Sequence, residues 1–111
     1  MVVEFVDHNI AWAAGLIEGE GCFTIVKNSK AKKKASAKLV VQMNDKDVLD
    51  RLYSVFNVGK IYYRPPRNTS KESWSWTVYK SSDLTLVADQ IYPLMGTRRQ
   101  RKIDEIKEFL Q

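Results

Sequence analysis

Ala11 to Phe23 reads A-W-A-A-G-L-I-E-G-E-G-C-F, a helix-compatible run that turns into a β-compatible one. Ala11, Gly15 and Gly19 lie four apart and Ala14 adjoins them, so one stripe of the helix has almost no side chains. Glycine inside a helix costs roughly 0.8–1 kcal/mol relative to alanine. That cost is tolerable where a second backbone approaches closely, the logic of small-residue helix contacts. The plainer alternative makes Gly15 incidental and Gly19 a C-terminal cap. Glu18 and Glu20 add a second tension, because a carboxylate at the negative end of a helix dipole is unfavourable by roughly 0.3–1 kcal/mol. Two such helices packed along the bare stripe bring these carboxylates together, and a divalent cation relieves the repulsion. Hard cations such as Mg²⁺ take oxygen ligands and keep waters and a substrate phosphate. The stretch points to a metal-dependent phosphodiester site shared by two chains, with Ala11, Ala14, Gly15, Glu18 and Gly19 at their contact.

Outward from this stretch the periodicity sets the remaining elements. Asp7 or Asn9 N-caps the first helix, which is expected from about Ile10 to Glu18. Phe23–Val26 and Lys38–Met43 read as the strands of a long hairpin around a lysine-rich turn. Asn44 or Asp45 caps a second helix, where Val48, Leu49, Leu52, Val55 and Phe56 recur at helical spacing until Asn57 and Gly59 end it. Lys60–Arg64, stopped by Pro65-Pro66, and Trp74–Tyr79 form a second hairpin. Ser82 or Asp83 opens a third helix to about Tyr92. Pro93 and Gly96 separate it from a fourth, Arg98–Leu110. The order predicts an α+β fold with an αββαββα core. Its curved antiparallel four-stranded sheet has helices on one face, and the other carries lysines, arginines and polar residues, a basic surface that could follow a DNA groove.

Composition narrows the function. At 111 residues, 44% hydrophobic and 28% charged, the chain suits a single domain over residues 1–111. One cysteine, Cys22, excludes an internal disulfide, and with one histidine, His8, it cannot complete a Cys/His zinc cage. No run approaches the ~20 apolar residues of a membrane span and no signal peptide is visible. No membrane partner is therefore expected. An intracellular setting is: the cytoplasm or nucleoid of a prokaryote or phage-infected cell, or an organelle. Eighteen Lys+Arg against thirteen Asp+Glu give +5. The charge gathers in three runs, Lys27–Lys38, Lys60–Lys71 and Arg98–Lys102, none containing an acid. Solvated faces are the plain reading of one such run; three, two of them in hairpins, favour nucleic acid.

Ala13 to Gly21, A-A-G-L-I-E-G-E-G, resembles the signature motif of the LAGLIDADG homing endonucleases. It departs by Glu for Asp twice, Gly for Ala once and Ala13 for the initial Leu. The element order agrees with that family's core over nearly the whole chain. A single motif copy implies a homodimer on a long, near-palindromic double-stranded DNA target. The resemblance also implies hydrolysis of one phosphodiester per strand with Mg²⁺ or Mn²⁺, and no small-molecule cofactor. Glu20 then corresponds to the metal-binding acid, with the Gly19 carbonyl as a further ligand. Asp45 matches a polar position near the metals and water, although a helix N-cap is an equal reading. Arg98 aligns with a basic position beside the cleaved phosphate, or simply binds DNA backbone. An intron-borne, free-standing reading frame is expected.

DNA contacts are expected from the hairpins: Lys27, Asn28, Lys30, Lys32, Lys34, Ser36, Lys38, Val40 and Gln42 in the first. In the second they are Tyr62, Arg64, Arg67, Asn68, Lys71, Trp74 and Trp76. Alternation admits only every second strand residue to one face. Trp74 and Trp76 share a face, which makes them core aromatics or base-stacking groups together. The rival functions on the same fold are a non-cleaving DNA-binding regulator and an intron-splicing maturase that binds RNA. An unrelated nuclease built on Glu105-Ile106-Lys107 is disfavoured, because that tripeptide falls in an amphipathic helix.

Overall fold

A computed structural model describes residues 7–26 and 36–111. Helix α1, His8–Glu20, starts where the Asp7 carboxylate accepts from the amides of Asn9 at 2.8 Å and Ile10 at 3.2 Å. Such a cap contributes about 1 kcal/mol. The helix runs two residues beyond the expected Glu18, so both glutamates lie in its last turn. Strand β1, Gly21–Val26, follows with no loop between. Gly21 makes that step possible: a Cβ there would stand 2.6 Å from the Ile17 carbonyl oxygen.

Strand β2, Ser36–Met43, pairs antiparallel with β1 from Gly21↔Val41 to Val26↔Ser36. Helix α2, Lys46–Phe56, buries Leu49, Leu52 and Phe56 and ends at Asn57 in the left-handed region (φ 57°). Strands β3, Lys60–Arg64, and β4, Ser73–Val78, form the second hairpin. β4 also pairs with β2 from Leu39↔Val78 to Met43↔Trp74, giving one antiparallel sheet in the order β1-β2-β4-β3. Helix α3, Ser81–Ile91, begins earlier than expected: Lys80, not Ser82 or Asp83, is at the N-cap. A short 3₁₀ turn over Tyr92–Leu94 leads to α4, Thr97–Leu110.

The helices cover the sheet face that carries Phe23, Ala37, Leu39, Val41, Trp76 and Val78. Against it lie Ile17, Leu49, Leu52, Leu84, Ile91, Ile103 and Ile106, all with no exposed surface. The expected α+β architecture is the one observed.

Trp74 and Trp76 correct the expectation of DNA contacts. Trp76 is fully buried, its indole N–H donates to the Val58 carbonyl at 2.9 Å, and Phe56 stacks on it at 6.0 Å. Trp74 lies on the same helix-covered face, half-buried against the core and 5.3 Å from the Tyr63 ring. Burying so large an apolar area outweighs any exposed stacking role. Gly59 (φ 90°) accommodates this packing, since a Cβ there would meet the Trp76 indole nitrogen at 2.7 Å.

Candidate functional site

Alternation fixes what the opposite sheet face presents. With Leu39, Val41, Trp76 and Val78 turned to the helices, the other parity carries Cys22, Thr24 and Val26 in β1 and Ser36, Lys38, Val40 and Gln42 in β2. β4 adds Ser73, Ser75 and Thr77, and β3 adds Lys60, Tyr62 and Arg64. Ser36, Lys38, Val40, Gln42, Tyr62 and Arg64 of the expected contacts therefore share one open face. Thr24, Lys60, Ser75 and Thr77 join them. The same period-two reasoning could have found these four once the tryptophans were assigned inward. The β4 row of this face is neutral and hydroxyl-rich, whereas Lys38 lies on β2 and Lys60 and Arg64 on the edge strand β3. Gln42 is tethered there, its amide donating to Ser73 Oγ at 3.1 Å. Arg67, Asn68 and Lys71 are exposed in the β3–β4 connection, where Arg67 and Ser70 bridge and Asn68 adopts a φ of 36°. Lys27, Asn28, Lys30, Lys32 and Lys34 lie outside the described residues.

One end of this face holds the acids. Glu20 and Gly19 are exposed at the end of α1, immediately before the Gly21↔Val41 pair. The Gly19 carbonyl is among the terminal ones that a helix leaves without an intrahelical donor. Asp45 is exposed beyond the end of β2 and sits at the N-cap of α2, with no side-chain capping hydrogen bond, so its carboxylate is not committed there. Arg98 is exposed and lines a hollow of about 360 Å³ with Cys22, Phe23, Arg99, Arg101, Lys102 and Glu105. Because Cys22 stands two residues past Glu20, this basic hollow opens at the same end of the sheet.

Among the described residues no three His, Cys, Asp or Glu side chains converge into a closed cage. The donors at hand are hard oxygens, the free Glu20 carboxylate and the Gly19 carbonyl. This set suits an open Mg²⁺-type site completed by water and phosphate, and does not suit a thiolate or imidazole metal.

The bare stripe of α1 is only partly as expected. Gly15 and Gly19 are exposed, and a Cβ on either would meet nothing within 4 Å among the described residues. Ala11 is half-buried. Ala14, however, is 2% exposed and belongs to the core with Ala13 and Ile17, a correction to its place on the open stripe. Glu18 is half-buried, with Oε1 2.8 Å from where a Gly96 Cβ would stand. Arg99, singled out by nothing in the sequence, donates from Nη2 to the Glu18 carbonyl at 3.1 Å.

With this geometry established, the chain belongs to the LAGLIDADG endonuclease family, whose model matches residues 13–109. The fold resembles that of the group I intron-encoded homing endonuclease I-CeuI complexed with DNA, with a TM-score of 0.75 and 19% identity over 99% of this chain and 57% of that one. It also resembles the archaeal intron-encoded homing endonuclease I-Vdi141I complexed with DNA, with a TM-score of 0.78 and 14% identity over 94% and 67%. A third similar fold is the homing endonuclease I-CvuI in complex with its target in the presence of 2 mM Ca, with a TM-score of 0.68 and 18% identity over 90% and 66%. This chain thus spans 57% of the length of I-CeuI. No curated protein matches the sequence.

Proposed function

We propose that the chain is a homing endonuclease that cuts both strands of a long, near-palindromic DNA site as a homodimer. The observation that carries this reading is the exposure of Gly15 and Gly19 beside Glu20. Two glycines weaken a helix by roughly 1 kcal/mol each, yet nothing among the described residues needs their bareness. A second copy of α1 laid along that stripe supplies the reason. It also brings two Glu20 carboxylates to one place, between two polar sheet faces.

In this reading Glu20 and the Gly19 carbonyl hold Mg²⁺ or Mn²⁺. The bound cation supplies Lewis-acid activation of water and stabilises the leaving oxygen, as in two-metal nucleases. The protein positions the duplex. Lys38, Lys60, Arg64, Arg67 and Lys71 engage phosphates, and Val40, Gln42, Ser75 and Thr77 face base edges in the major groove. Arg98 donates to a phosphate beside the cut. Asp45, free of a capping bond, orients water. Bending the duplex over a curved sheet adds sequence preference at positions that no side chain touches.

The test is incubation of the protein with a library of duplexes in Mg²⁺ and in chelator. Metal-dependent double-strand cuts at a recurring site, lost in Glu20→Gln while duplex binding persists, are expected. Tight binding without cuts by the wild type would replace this reading with a DNA-binding regulator. Binding confined to structured RNA would replace it with a maturase.

A further inference from the structure

We propose that Arg99 is a positioning residue that sets the metal affinity of the Glu20 site, an inference that rests on the function proposed above. Helix α4 opens with the run Arg98-Arg99-Gln100-Arg101-Lys102, in which Arg98 and Arg101 are exposed while Arg99 is half-buried. Arg99 turns back onto α1 and donates from Nη2 to the Glu18 carbonyl at 3.1 Å, joining residues 81 apart in sequence.

The end of α1 explains the need. A helix terminus leaves its last four carbonyls without intrahelical donors. Gly21 N–H takes the Ile17 carbonyl and Arg99 takes that of Glu18. The next carbonyls in the row, those of Gly19 and Glu20, flank the metal-binding acid. Negative charge accumulates at this terminus, since the dipole end carries both Glu18 and Glu20, and a guanidinium offsets it. Glu18 closes the junction from the other side. Its Oε1 rests against Gly96, where a Cβ would come within 2.8 Å, and its Oε2 is buried without a hydrogen-bond partner among the described residues. Arg99 Nε is likewise buried and unpartnered. The last turn of α1 and the first turn of α4 are thus locked by one hydrogen bond and close packing. Arg99 is turned back onto α1 by this bond and acts through the backbone that presents Glu20.

Charge and positioning predict opposite outcomes. A guanidinium acting only by its field repels a divalent cation, so its removal would tighten metal binding. A guanidinium that fixes the helix end holds the ligands in place, so its removal weakens binding. Outer partners of metal ligands are typically worth about 10–100-fold in affinity.

The experiment measures Mn²⁺ binding to the protein on its library-selected duplex by electron paramagnetic resonance, with duplex affinity in chelator measured alongside. Arg99→Ala is expected to need about 10–100-fold more Mn²⁺ while duplex affinity in chelator stays within about twofold of wild type. Arg99→Lys, which keeps the charge but loses the planar fork, is expected to recover part of that loss. Unchanged or tighter Mn²⁺ binding in Arg99→Ala overturns the inference, as does a loss of duplex affinity that matches the loss of Mn²⁺. Should Arg99→Ala fail to fold, Arg99→Lys decides: a threefold or greater loss, on the order of 0.6 kcal/mol, supports the inference and a wild-type value overturns it. A wild-type protein that binds no Mn²⁺ on any duplex removes the proposed function itself, a result distinct from variants that match a metal-binding wild type.

Discussion

Replacing Gly15 by alanine or leucine separates the stability of the chain from the stability of its pairing. In one chain a Cβ at this position meets nothing within 4 Å, and Gly15 lies inside α1. Alanine should therefore stabilise the isolated fold by about 1 kcal/mol through helix propensity. That gain raises Tm by a few degrees, on the order of 4 °C for a chain of this size. At a close symmetric contact the same methyl appears twice, once from each subunit. Overpacking costs about 1–3 kcal/mol per site, and leucine should show it most fully. Two sites at 1–3 kcal/mol weaken association by roughly 30-fold to 10⁴-fold. Sedimentation over a concentration series reads the association, and thermal unfolding of dilute, dissociated protein reads the chain. The expected signature is opposite signs, with a firmer monomer and a weaker dimer. If Gly15→Leu associates as wild type does, or if wild type stays monomeric on its duplex, the stripe is not a subunit contact and the proposed shared site fails with it.

Three further outcomes follow from the packing and the charge. Trp76→Ala should lose about 3–5 kcal/mol of stability in urea unfolding, because the ring is buried and its N–H is satisfied by Val58; loss of duplex affinity with unchanged stability would contradict its inward placement. A dimer carries +10, twice the +5 of one chain. If about 6–10 phosphates are engaged, duplex affinity should fall ~10³–10⁵-fold between 50 and 200 mM salt, and a flat response in a fluorescence titration would remove the basic rim from the account. Burial first, then donation to Asp104, raises the Tyr92 hydroxyl above its ordinary pKa of 10.0. A group whose folded pKa is raised keeps its stabilising contribution below the unfolded value and loses it as pH climbs through the folded one. Tm should hold to about pH 10 and decline above it, less steeply in Tyr92→Phe; an identical decline in that variant would assign the effect elsewhere.

Much of the fold was legible because its strands and helices obey different periods. Leu39 and Val41 against Lys38, Val40 and Gln42 assign β2 to its two faces without a structure. β4 was readable in the same way, since Trp74 and Trp76 oppose Ser73, Ser75 and Thr77. The shared parity of Trp74 and Trp76 left them as core aromatics or base-stacking groups together, and the burial of Trp76 decides for the core. Helix α1 gives a blunter signal. It is apolar or small on nearly every side, so Ala14 could not be distinguished from Ala11 by pattern alone. Arg99 was beyond reach for another reason. In a run of four basic residues out of five, spacing does not say which guanidinium turns back toward a helix that ended 79 positions earlier. Only the tertiary path of α4 selects it.

The direct passage from α1 into β1 has a mechanical meaning. Gly21 ends the helix and opens the strand, with no residue free to absorb a displacement between them. A groove that lifts the strand by an ångström therefore carries the acidic terminus with it. Under the proposed function, misfit along a target would be felt at Glu20 as misalignment, and fidelity would gain a lever that no individual base contact provides.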